Sequence, residues 1–238
     1  MPKQVFKFKE FEVIQDGSTM KVGTDGVLLG AWAAVDSAKE ILDIGTGTGV
    51  IALMLAQRAF EAVVHAVEID ELAYLQAEEN FLNACWSDNL RCFHMAIQDF
   101  AAATEQRYDL IVSNPPFFTG GTLSENSDKV SVRHTIKLPH GDLLLSVRQL
   151  LKKNGKFCVV LPYLEGLRFK EMAQTSGLFC NKATGVKPNA LRSVERLLLE
   201  FSYIPGQYVY NELSLAKPDS LEWTKEYISL TSSFYLAL

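Results

Sequence analysis

Asp43, Gly45, Gly47 and Gly49 lie in the run Ile41-Leu42-Asp43-Ile44-Gly45-Thr46-Gly47-Thr48-Gly49-Val50-Ile51-Ala52, where a carboxylate precedes glycines at every second position. Glycines allow a tight turn and a close backbone approach to a ligand. A dinucleotide site would read G-x-G-x-x-G and receive a pyrophosphate on the helix N-terminus. Here the acidic residue disfavours an anion and suits a cation. A second group capable of chemistry is Asn114-Pro115-Pro116-Phe117-Phe118, an amide and an aromatic ring on either side of two prolines. Consecutive prolines cannot continue a strand ladder, so they hold the chain extended and stiff. Glu68 lies ~20 residues past the glycines, where a second-strand carboxylate accepts hydrogen bonds from ribose hydroxyls in nucleotide-binding sheets.

These residues need strands to carry them. Residues 41–44 read as the end of a buried strand and 50–56 as the start of an apolar helix. Residues 62–70 form a second strand ending in acid, with Asp70 as the N-cap of a helix over 71–84. A third strand over 90–95 runs into Ala96-Ile97-Gln98-Asp99-Phe100, and a fourth, Tyr108 to Ser113, delivers Asn114 to its carboxyl end. In an open α/β sheet ligands lie at that end. A helix over 142–152, a strand over 155–162 and a helix over 164–175 follow, and then two strands over 179–187 and 195–203. Upstream, Val5, Phe6, Phe8, Phe11, Val13 and Ile14 alternate with lysines and Glu12 before Asp16-Gly17, the pattern of a small β-hairpin. Its lysines suit either a polyanion or the protection of a strand edge. Thr24 can cap a helix from Asp25 onward, and Lys21 to Gly26 either close over a ligand or serve only as turn and cap.

The 238 residues, 48% hydrophobic and 21% charged, suit one α/β domain, with 1–38 as a hairpin-and-helix extension, 39–205 as the core and 206–238 as a C-terminal extension. A net charge of −5 argues against indiscriminate coating of nucleic acid and leaves room for a local basic face. Cys85, Cys92, Cys158 and Cys180 are scattered without metal-ligand spacing, so reduced thiols and no metal are expected. No apolar run is long enough to span a bilayer and the start lacks a signal peptide's apolar core, which places the chain in the cytoplasm without a membrane partner.

S-adenosylmethionine carries a sulfonium and an ammonium and so answers an acidic glycine loop. The order D-x-G-x-G-x-G, acidic second-strand end, Asp after the third strand and N-P-P-[aromatic] after the fourth resembles the N-P-P-Y methyltransferases that modify exocyclic or amide nitrogens. Over its length, including the hairpin and the T-D-G-V-L-L helix, the chain is similar to bacterial tRNA adenine-N6 methyltransferases that act on valine tRNA beside the anticodon. The resemblance implies a Rossmann-like class I fold, a mostly parallel seven-stranded sheet with the last strand antiparallel. It implies S-adenosylmethionine held by Thr24, Asp43, Gly45, Gly47, Gly49, Glu68, Asp99 and Asn114, with Asp99 accepting from the cofactor's adenine amine. Asn114 and Pro115 would each accept one N–H of the substrate amine, and Phe117 would stack on the extruded base. Arg133 and His134, after the loop, are candidates for tRNA contacts, or else part of a solvated helix face. Phe117 replaces the usual Tyr; stacking survives, and relatives with Phe here include guanine-N2 methyltransferases. That enzyme class, a protein-glutamine methyltransferase and a non-catalytic RNA-binding module are the alternatives. A monomer or weak homodimer is expected.

Overall fold

The computed structural model describes residues 4–16, 21–116, 138–218, 220 and 222–237. In chain order the elements are β1 (Val5–Lys7), β2 (Glu12–Ile14), α1 (Thr24–Trp32), β3 (Glu40–Ile44), α2 (Val50–Arg58), β4 (Val63–Glu68), α3 (Glu71–Leu82), β5 (Leu90–His94) and α4 (Ile97–Ala103). They continue with β6 (Tyr108–Ser113), α5 (His140–Leu150), β7 (Leu151–Pro162), α6 (Tyr163–Thr175), β8 (Phe179–Asn189), β9 (Arg196–Ser202), β10 (Val209–Ala216) and α7 (Lys225–Thr231). The β–α alternation from β3 to β7 builds a parallel sheet covered by helices on both faces, as right-handed crossovers require.

Eight strands lie in the order β10-β8-β9-β7-β6-β3-β4-β5. β9 runs antiparallel to both β7 and β8, whereas β10 is parallel to β8. The expected reversed pair is therefore present, but the sheet has eight strands where seven were expected. The extra one comes from the segment assigned to a C-terminal extension. In β10 only Leu213 is buried among Val209–Ala216, and its alternation is confined to Glu212-Leu213-Ser214-Leu215, too short a stretch to mark the whole strand.

β3 shows how the sheet sorts its side chains. Ile41 joins the apolar cluster that contains α1, α2 and the hairpin, whereas Leu42 and Ile44 join the opposite cluster beneath α4, α5 and α6. Alternation along a strand then puts Asp43 on the face of Ile41, toward α1 and α2. α2 is apolar nearly all round, with Val50 to Ala56 buried, because it is sandwiched between the sheet and α1.

The hairpin β1–β2 is antiparallel and packs Phe8 and Phe11 against Tyr235 and Trp86. The Asp16 carboxylate accepts from the Gln4 amide and closes it. Lys7 pairs with Glu12 at 2.9 Å and Lys9 donates to the Ser232 carbonyl at 2.7 Å, so both lysines are engaged within the chain and favour the edge-protecting role. α3 begins as expected, with Asp70 accepting from the Ala73 amide at 2.9 Å. α1 differs by one residue from the expectation. Its N-cap is Gly23, in extended backbone, and Thr24 is its first helical residue, making no side-chain cap bond.

Candidate active site

In the sheet, β3 lies between β4 and β6, and Ile44 is opposite both Val67 and Ser113. Three carboxyl ends are thereby brought level: Gly45 follows Ile44, Glu68 follows Val67 and Asn114 follows Ser113. Parallel neighbours are about 4.8 Å apart, so Gly45 and Asn114 come to line one pocket, while Glu68, outside its lining, reaches the loop through the Gly47 amide. Ser113 Oγ donates to the Ile44 carbonyl at 2.9 Å and locks the ends of β6 and β3 together. This is also where the connections leave the sheet in opposite directions, the position at which open α/β sheets bind ligands.

The glycine loop is held in a left-handed shape, with φ of 70° at Gly45, 58° at Gly47 and 83° at Gly49. A Cβ at Gly45 or Gly47 would meet no heavy atom within 4 Å, so this side of the loop is open. At Gly49 the reverse holds: a Cβ would lie 2.5 Å from the Phe81 ring. Gly49→Ala should therefore cost roughly 2–5 kcal/mol in urea unfolding, the sum of a left-handed non-glycine residue and an overpacked contact. Phe81→Leu in the same background should return part of that loss; the absence of any recovery would show that the ring is not the obstacle.

Two carboxylates bracket the loop. Glu68 accepts from the Gly47 amide at 2.8 Å through one oxygen, and from the Ile69 and Asp70 amides at 2.9 Å through the other. Asp43 is fully buried. Its Oδ2 accepts from the Thr46 hydroxyl at 2.6 Å, and its Oδ1 has no hydrogen-bond partner among the described residues. Burial raises its pKa to about 7, the nearby Glu68 charge adds to the shift, and the Thr46 hydroxyl and the Ala52 amide oppose it. A buried acid with an orphaned oxygen is suited to a cationic or N–H-bearing ligand group.

A cavity of about 380 Å³ opens against this loop, within the range of small-molecule sites. Thr24 and Gly26 of α1, Gly45 and Gly47, Asn114 and Arg196 line it. The half-buried Asn114 has an Oδ1 that is closed to solvent and lacks a hydrogen-bond partner among the described residues, while Pro115 beside it is buried. Lys21 and Gly23, before α1, and Asp25, in its first turn, also line the cavity. The pattern of residues gave no sign of Arg196. It sits at the start of β9, donates through Nε to Asp25 at 2.9 Å, and reaches the cavity only because β9 returns antiparallel beside β7.

Asp99 is exposed in the first turn of α4 and is not among the residues that line this cavity. Phe117, Arg133 and His134 lie outside the described residues. His65 packs inside β4, its Nδ1 2.8 Å from the Tyr108 hydroxyl, and His94 stacks on Tyr74. Among the described residues no group of acidic, His and Cys side chains could hold a metal ion, and no helix is long and apolar enough to cross a membrane.

A Rossmann-like sheet with an acidic glycine loop at its switch point and Asn114 lining the same cavity is the frame of a class I methyltransferase dependent on S-adenosylmethionine, and the comparisons agree. The family model described as methyltransferase small domain matches residues 21–170. A Christiangramia forsetii protein named tRNA1(Val) (adenine(37)-N6)-methyltransferase is 42% identical over 241 residues, covering 100% of both chains. One of the same name from Trichodesmium erythraeum is 43% identical and covers 97% of each. The chain belongs to the methyltransferase small domain family and, along its full length, to the group whose members bear that tRNA methyltransferase name. The fold is shared with the crystal structure of an Agrobacterium tumefaciens protein described as a predicted O-methyltransferase, with a TM-score of 0.68 at 16% identity over 88% of this chain and 96% of the other.

Proposed function

We propose that the protein transfers a methyl group from S-adenosylmethionine to the exocyclic N6 of an adenine in tRNA, adenine 37 of tRNA1(Val), in the cytoplasm. The observation that carries this reading is Asn114, which lines the same cavity as the glycine loop and whose Oδ1 has no hydrogen-bond partner among the described residues. The names of relatives matching the whole chain support adenine over the guanine and glutamine alternatives.

When bound, S-adenosylmethionine supplies an electrophilic methyl on a sulfonium. Gly45, Gly47 and Thr24, which line the cavity, would hold it; Asp43, buried behind the loop, would supply negative charge for its cationic methionine end, and Glu68, bonded to the Gly47 amide, would supply an acceptor for its ribose hydroxyls. An adenine amine is a poor nucleophile because its lone pair is delocalised into the ring. Asn114 Oδ1 and the Pro115 carbonyl each accept one of its N–H groups, which fixes the nitrogen and favours lone-pair density directed at the methyl. No base need deprotonate the amine first; the surplus proton leaves after transfer, when the nitrogen is cationic and acidic. Phe117 stacks on the base, Arg133 and His134 contact the RNA, and Asp99 accepts from the cofactor's adenine amine.

Glu68→Ala should weaken S-adenosylmethionine binding by about 1–3 kcal/mol, measured by calorimetry, through loss of acceptors for ribose and for the Gly47 amide. An unchanged affinity would remove Glu68 from the site. The reaction is tested by offering labelled S-adenosylmethionine with tRNA, ribosomal subunits or a release factor. Label in tRNA, recovered as N6-methyladenosine after digestion, is the expected result, and label confined to either other substrate would contradict it.

A further inference from the structure

Asn80, in the body of α3, is 1% exposed and belongs to no motif of the loop or of the Asn-Pro-Pro segment. Its side chain makes hydrogen bonds to two parts of the chain far from it in sequence. Oδ1 accepts from the Ile14 amide at 2.8 Å, and Nδ2 donates to the Ile14 carbonyl at 3.0 Å and to the Thr48 carbonyl at 2.8 Å. Because Ile14 N–H can only donate, the orientation of the amide is fixed, and both Nδ2 hydrogens are used. One buried side chain thus joins the N-terminal hairpin to the glycine loop. The next residue, Phe81, sets the loop's other limit by closing off the space behind Gly49. On the far side of the hairpin, Gln15 Oε1 accepts from the Val22 amide at 2.9 Å, beside Lys21 and Gly23 of the cavity wall.

We infer that Asn80 is a positioning residue for the methyl-donor site, setting the glycine loop through the Thr48 carbonyl and bracing it against the N-terminal hairpin. The inference rests on the assignment of that loop to S-adenosylmethionine. Glu68 holds the loop at the Gly47 amide and Asn80 holds it at the next residue's carbonyl, so the open surface at Gly45 and Gly47 is fixed from both sides before a ligand arrives. Preorganisation of this kind lowers the ordering cost of binding. The hairpin, whose lysines are engaged within the chain, serves in this arrangement as a brace for the donor site and not as an RNA-docking arm.

The test compares the full-length wild type with Asn80→Ala, using calorimetry with S-adenosylmethionine and amide hydrogen exchange at a temperature well below melting. Asn80→Ala should bind S-adenosylmethionine about tenfold more weakly, with kcat at saturating donor within about twofold of wild type. The Gly47 and Gly49 amides, which are bonded to Glu68 and Thr46 and not to Asn80, should exchange at least about tenfold faster and slow again with S-adenosylhomocysteine. If the alanine chain does not fold, Asn80→Asp gives the same reading, since it keeps an acceptor for Ile14 N–H and loses both donors. A folded variant with a lower melting temperature, unchanged donor affinity and unchanged exchange at Gly47 and Gly49 would overturn the inference while leaving the donor site intact. A wild type that fails to bind S-adenosylmethionine would overturn both.

Discussion

Asn114→Ala is expected to lower turnover by about a hundredfold while leaving S-adenosylmethionine affinity within about a factor of two. Asn114 lines the cavity, and its Oδ1 has no partner among the described residues; in the proposed mechanism the bond it makes is with the incoming amine. That bond strengthens as the nitrogen gains positive charge in the transition state, and its loss falls on kcat more than on binding of either substrate. Ser113, which ties β6 to β3 through its hydroxyl, keeps the backbone in place when the amide is removed, so the variant should fold. Single-turnover methylation of tRNA alongside calorimetry separates the two effects. Wild-type turnover in Asn114→Ala would exclude it from the reaction, and a large loss of donor affinity would move it to the cofactor site.

Asp43→Asn should affect affinity, pH dependence and stability together. The carboxyl, buried and raised to about 7, must be ionised to face a cationic ligand. Donor binding therefore releases a proton below neutrality, and the wild-type Kd should be about tenfold weaker at pH 6 than at pH 8. In Asp43→Asn that pH dependence should vanish, and the affinity should fall by roughly ten- to hundredfold at pH 8 and by about ten times less than that at pH 6, as expected for loss of a charged hydrogen bond. Stability should move the opposite way. The folded pKa of about 7 lies above the ordinary aspartate value of 3.8, so the folded chain holds this proton more tightly than the unfolded one. This group's contribution to the ligand-free protein is then most favourable below pH 4 and falls as pH rises from about 4 to about 7. At pH 8 Asp43→Asn should melt several degrees above wild type, since 1 kcal/mol corresponds to about 2–4 °C in a chain of this length. A variant that is less stable at pH 8, or that retains the pH dependence of donor binding, would show that Asp43 is not the titrating group.

What could be read from the residues was local. The glycine loop, Glu68, the Asp70 cap and Asn114 each sit where a strand meets the next segment, and short-range patterns of apolar runs, glycines and prolines mark those junctions. Which junctions lie side by side is set by strand order, and the motif order suggested it only through resemblance. Arg196 and Asn80 were not legible for the same reason. Each reaches the site by a long-range pairing, β9 against β7 in one case and α3 against β2 and the loop in the other. β10 was missed because its alternation is confined to Glu212-Leu213-Ser214-Leu215, preceded by Val209-Tyr210-Asn211, which does not extend it. The expectation for Asp99 placed it near a ligand on its position after the third strand, and its exposed place in α4 leaves the adenine contact to be tested by substitution.

The central claim is that donor and acceptor groups meet in one cavity between the glycine loop and Asn114. A crystal structure with S-adenosylhomocysteine tests it most directly. The account predicts the sulfur over Gly45 to Gly49, the amino group toward Asp43, and Asn114 Oδ1 within roughly 7 Å of the sulfur, the span of a methyl in attack position plus one hydrogen bond. A ligand seated away from that loop, or an Asn114 amide turned out of the cavity, would contradict it.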